Sequence, residues 1–98
     1  MHVAVLRVEL RIRGARSLKE KRRVVKSIVA DIGSSFPVGV AEVDHQEVWQ
    51  RATLGIAVVS ESPGHVDAVL DHTERGLRSR ADIEVIEAVR SYLEESQA

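Results

Sequence analysis

Ser17 and Glu20 stand three residues apart at the head of an apolar pattern, and this spacing constrains the fold more than anything else in the chain. It is the spacing of a capping box. The serine oxygen accepts from the backbone N–H of Glu20, while the glutamate reaches back to the N–H of Ser17. Leu18, Val25, Ile28, Val29, Ile32 and Phe36 then recur on one face at 100° per residue. Gly33 and Pro37 supply the stop signals. The spacing predicts a helix over 18–35. Lys19, Arg22, Arg23 and Lys26 gather on a neighbouring face.

The charge on this helix has an unexpected sign. A helix N-terminus is itself partly positive, so each cation in the first turn costs about 0.3–1 kcal/mol. Lys19 and Lys21 occupy it nonetheless, with Arg13 and Arg16 in the loop just before and Glu20 offsetting only part. A solvated basic face is the plain explanation. The sharper one is an anion that completes the site, with helix N–H groups and basic side chains converging on it. The whole chain has a net charge of −1, but residues 1–26 hold nine Lys/Arg against two Glu, a net +7, leaving −8 for the rest. Such asymmetry points to a polyanionic partner, or to basic and acidic faces that meet in a homo-oligomer.

The flanking segments set the fold class. Residues 3–13 alternate, with Ala4, Leu6, Val8, Leu10 and Ile12 on one side and Arg7, Glu9, Arg11 and Arg13 on the other, the period of a half-buried strand. Val3 and Val5 leave an apolar corner on the polar side. Residues 38–45 read as a second strand, Ala41 and Val43 alternating with Glu42 and Asp44. Residues 49–60 read as a third, with Ala52, Leu54, Ile56 and Val58 inward and Trp49, Arg51 and Thr53 outward. The short connection between these two predicts an antiparallel hairpin. Ser62-Pro63 opens a second helix, over 63–79. The stretch 82–96 suits a strand or a helix. A strand over 82–91 is favoured, because the first strand would otherwise lack a second neighbour. The expected result is one α+β domain over 1–98, βαββαβ, a ferredoxin-like four-stranded antiparallel sheet with two helices on one face and the other face uncovered.

Length and composition agree. Ninety-eight residues, 44% apolar and 30% charged, make one globular two-layer domain. There is no cysteine, no signal-peptide core and no apolar span of about 18 residues, so the expectation is a cytoplasmic protein outside the membrane.

Val8-x-Leu10, the run from Ser17 to Arg22 (SLKEKR), Ala41-Glu42-Val43 and the stretch Trp49-Gln50-x-Ala52-x-Leu54-Gly55-Ile56-Ala57 resemble the YlxP-like family. The resemblance extends to about Leu77, and the SLKEKR run is its most specific part. It implies a ferredoxin-like fold and a bacterial protein of unknown function. Members are often encoded beside translation and transcription factors, which implies a link to RNA or the ribosome. The family has no established catalytic residues to carry over.

Enzymatic chemistries find little here. The loop Arg13-Gly14-Ala15-Arg16-Ser17 is similar to that of acylphosphatase, but that enzyme also needs an asparagine to position water, and this chain contains none. His65 and His72 share a helix face yet lie about 10 Å apart by helical rise, too far to hold one metal ion. His2 and His45 fall on different strands. No nucleophile elbow or phosphate-binding glycine loop is present. Glu42 and Asp44 are read as cross-strand partners of Arg7, Arg11 and Arg51. Trp49 is read as packing at a strand end or subunit interface, in preference to a base-stacking role, because aromatics make up only 3% of the chain.

No catalytic residue, metal or cofactor is therefore assigned. The leading expectation is an RNA- or ribosome-associated protein that grips phosphates through Arg13, Arg16, Lys19, Arg22, Arg23 and Lys26. The rival is a homo-oligomeric (dimeric) or ligand-sensing module that uses the open sheet face at Val3, Val5, Arg7, Trp49 and Arg51.

Overall fold

The computed structural model describes residues 1–94. Alternation and capping produce six elements: β1 (His2–Ile12), α1 (Leu18–Ser35), β2 (Gly39–Asp44), β3 (Arg51–Ser60), α2 (Pro63–Arg78) and β4 (Ile83–Glu94). The strands form one sheet in the order β2-β3-β1-β4, every neighbouring pair antiparallel. Each helix connects two parallel strands with a third strand between them. This is the ferredoxin-like split βαβ.

The inward rows of β1 and β3 pack against both helices. Leu6, Val8, Leu10, Leu54 and Ile56 are wholly buried with Ile28 of α1 and Val66, Val69 and Leu70 of α2. Each large aliphatic side chain taken out of water contributes about 1.5–3 kcal/mol. Ser62 caps α2 by accepting from His65 N at 3.3 Å, and Pro63 opens it where a missing N–H has no cost. No helix among the described residues is long and apolar enough to cross a membrane.

The opposite sheet face is bare. Its rows follow from the register: Val59, Val3 and Leu93; then Ala57, Val5 and Ser91; then Gly55, Arg7 and Val89; then Thr53, Glu9 and Glu87; and at the far end Arg51 and Arg11, with Glu84 beyond a bulge in β4. One half is apolar and the other charged.

Several local expectations change. Gly33 lies inside α1, which runs to Ser35 and ends at an extended Phe36, so the backbone turns out where Pro37 blocks continuation and not at the glycine. Glu20 accepts from Arg16 N at 2.6 Å and not from Ser17 N, while Ser17 Oγ accepts from Glu20 N as expected. The third strand starts at Arg51, leaving Trp49 in the preceding turn. The ambiguous tail is a strand over Ile83–Glu94, paired with β1 along its length. Residues 95 and 96, the rest of that ambiguous stretch, lie outside the described residues.

Candidate nucleic-acid interface

The turn from β1 into α1 and the first three turns of α1 carry the six basic residues singled out in the sequence. All six are exposed. Lys19, Arg22, Arg23 and Lys26 fall within an arc of about 100° and about 10 Å of helix length. Arg13 is tied down at the same end of the sheet: its N–H donates to Asp82 O at 3.0 Å and its Nε to Ile83 O at 3.3 Å. Arg16 is held through its backbone by Glu20. Among the described residues none of the six side chains forms an ion pair.

Several of the protein's acids are engaged with arginines elsewhere. Asp71 and Glu74 of α2 hold Arg90 of β4 at 2.8 and 3.4 Å. Asp31 at the end of α1 and Asp82 before β4 hold Arg80 at 2.7 and 2.9 Å. The hydrogen bonds from Arg80 keep the Asp82 carboxyl below the usual carboxylate range. Glu20 stands within the basic surface but accepts from the Arg16 backbone N–H, so the six basic side chains keep a net positive charge that an external polyanion could meet.

Lys21 behaves differently from its neighbours. Its side chain has no exposure to solvent, and its Nζ stands 2.7 Å from Glu42 Oε2 and donates to the His45 carbonyl. Glu42 faces the helices because β2 places it on the same side as Val40, with Val40 opposite Ile56 and Glu42 opposite Leu54. The expected pairing of Glu42 with an arginine across the sheet is therefore replaced by a helix-to-strand pair. Asp44 does reach Arg7, at 3.8 Å, whereas Arg51 pairs with Glu9 at 2.9 Å and Arg11 with Glu84 at 3.9 Å. The signal for Lys21 was present in its spacing: positions 21, 25, 28 and 32 are one apolar stripe, and all four are buried.

The sheet-face residues are brought together only in part. Val3, Val5 and Arg7 share the open face of β1, and Arg51 lies at its charged end. Trp49 sits beyond that end, in the turn that joins β2 to β3 and that Lys21 grips from beneath at His45.

The chain matches the family described as "Protein of unknown function (DUF503)" over residues 3–90. It is 39% identical over 70 residues to the uncharacterized protein YlxP of Bacillus subtilis strain 168, spanning 71% of this chain and 76% of that protein. Among solved structures it is similar to a de novo designed protein with a ferredoxin fold, at a TM-score of 0.49 and 13% identity, covering 99% of this chain and 88% of that one. On the extent of the family match and the identity to its Bacillus relative, this chain belongs to the DUF503 family, the YlxP-like proteins of unknown function.

Proposed function

We propose that this protein is a non-enzymatic RNA- or ribosome-associated factor that holds the phosphate backbone through Arg13, Arg16, Lys19, Arg22, Arg23 and Lys26. One observation carries the reading: among the described residues, the side chains of six exposed cations around one helix start form no ion pair. Phosphate contacts of this kind give affinity and orientation without reading sequence. Each contact releases counterions, so four to six of them give a log–log salt slope of roughly −4 to −5 on a duplex. Filter binding of structured RNA across a range of ionic strengths measures that slope. The double reversal Lys19→Glu with Arg22→Glu should weaken binding at low salt and flatten the slope by about 2. Binding that is insensitive to salt and to this reversal defeats the reading.

A second reading is supported by the bare sheet face, on which Val5, Val43, Val59, Val89 and Leu93 remain exposed. Patches of this kind mark interaction sites. The face carries both signs of charge, with Arg7, Arg11 and Arg51 against Glu9, Asp44, Glu84 and Glu87, so it suits a second copy of this chain better than a polyanion. The two readings use different surfaces and are compatible.

A further inference from the structure

The turn between β2 and β3 carries the chain's single tryptophan and is fastened, through the next residue, to the end of β1 and to the loop before α1. The β1–β3 ladder ends at Arg11 opposite Arg51, but Ile12 N donates to Gln50 O at 2.9 Å and so extends it by one step. Trp49 is the next residue out along the turn, immediately before Gln50. Gln50 Nε2 also donates to the Ala15 carbonyl at 3.4 Å, fastening the turn to the loop that carries Arg13 and Arg16. The turn is anchored again at His45, whose carbonyl accepts from both the buried Lys21 ammonium and Val48 N. Trp49 is nonetheless 51% exposed. The only aromatic ring contact among the described residues is Phe36 with His72, so nothing of that kind covers the indole. A large ring held out in water on a turn fastened to the loop that carries the exposed Arg13 and Arg16 is an arrangement in which an unpaired base could stack while its phosphates are neutralised.

We infer that Trp49 is a stacking platform for an unpaired RNA base, so that the protein takes stem-loop RNA in preference to blunt duplex. The inference rests on the phosphate-backbone reading above and adds the class of RNA. Blunt duplex has no free base to offer, and it would engage the cations alone.

The test uses the full chain with two RNAs of equal length, a stem-loop with unpaired loop purines and a blunt duplex. Trp49 is the only tryptophan, and Tyr92 lies at the opposite end of the sheet, opposite Ala4. Selectively excited indole emission therefore reports on this position alone. The expected result is quenching by the stem-loop and little change with the duplex. Trp49→Ala should bind the stem-loop about tenfold more weakly, the scale of one lost base stack, leave duplex binding unchanged and melt at the wild-type temperature. Trp49→Phe should recover most of the loss. If both RNAs bind equally and with the expected salt slope while Trp49→Ala changes neither, the platform is overturned and the phosphate reading stands. If Trp49→Ala weakens both RNAs alike, stacking is also overturned. If neither RNA binds in a salt-dependent way, both proposals fall.

Discussion

A lysine ammonium removed from water loses several kcal/mol of hydration unless a counter-charge and further acceptors replace it. Lys21 has both, in Glu42 Oε2 at 2.7 Å and the His45 carbonyl. Glu42 Oε2 is shut off from solvent, so the ammonium is its counter-charge in turn. His45 adopts φ 61°, an uncommon conformation for any residue but glycine. It is held there by Asp44 Oδ1 on its N–H at 2.7 Å and by Glu9 on its ring at 3.2 Å. Removing one member of such a pair strands the other charge. Lys21→Met is therefore expected to cost about 3–5 kcal/mol, and adding Glu42→Leu to recover most of it, because a buried pair replaced by apolar groups of similar size is often neutral. Urea unfolding of the two variants checks this; a double variant no more stable than the single one refutes it. At this scale the periodicity at 21, 25, 28 and 32 was legible, but not the partner. Which acid meets Lys21 depends on how β2 is turned.

The elements owe their placement to a few contacts that bridge distant segments. Arg80, in the turn between α2 and β4, donates to Asp82 beside it and to Asp31 and Ser27 on α1, so that one guanidinium joins the end of the helix layer to the start of the last strand. Its hydrogen bonds lower the Asp82 carboxyl, which fixes the sign of the pH effect. The folded-state value lies below the unfolded one of about 3.9, so the stabilisation is complete above that value and lost as pH falls through the folded value. Asp82 is half-exposed, and the effect is expected to stay under about 1 kcal/mol. Asp82→Asn should be slightly less stable than wild type at pH 6, and the gap should close on acidification below about pH 4. Denaturant midpoints at the two pH values measure it; a gap that widens in acid contradicts the assignment. In the sheet, a bulge in β2 between Glu42 and Asp44 lays Val43 over Gly55, where an added Cβ would come within 3.1 Å of Val43 Cγ1. Such irregularities leave no mark in a period-two pattern. That is why β2 and the start of β3 were less legible than β1, whose eleven residues alternate without a break.

At the scale of the molecule, the unpaired cations surround the start of α1, while Val5, Val59, Val89 and Leu93 lie exposed on the far face of the sheet. Four strands about 4.8 Å apart and on average about 33 Å long, β2 being the shortest with 6 residues, present roughly 640 Å². A standard protein interface buries about 800 Å² per partner, so pairing of two copies through this face falls in the range of a modest dimer. Sedimentation over a range of concentrations should show that dimer, and Val59→Lys or Val5→Glu should dissociate it without altering the monomer's melting. A strict monomer at high concentration removes the reading.

The sequence alone determined the first five elements, their order and the segment in which the basic charge gathers. Periodicity, caps and prolines act over a few residues and need no knowledge of the rest of the chain. Ser17, Ser62 and Pro63 start helices in any context, and alternation from Val3 to Ile12 makes a strand wherever one face can be buried. The tertiary structure decided what depends on contacts between distant segments. A strand at 83–94 prevailed over a helix because β1 offered it a full-length partner. Of nine cations near the N-terminus, the packing of α1 over β2 placed Lys21 inside beside Glu42 and left the others outside. The hydrogen bonds of Gln50 to Ile12 and Ala15 set the turn that carries Trp49 against the loop after β1, a neighbour that no local pattern could have named.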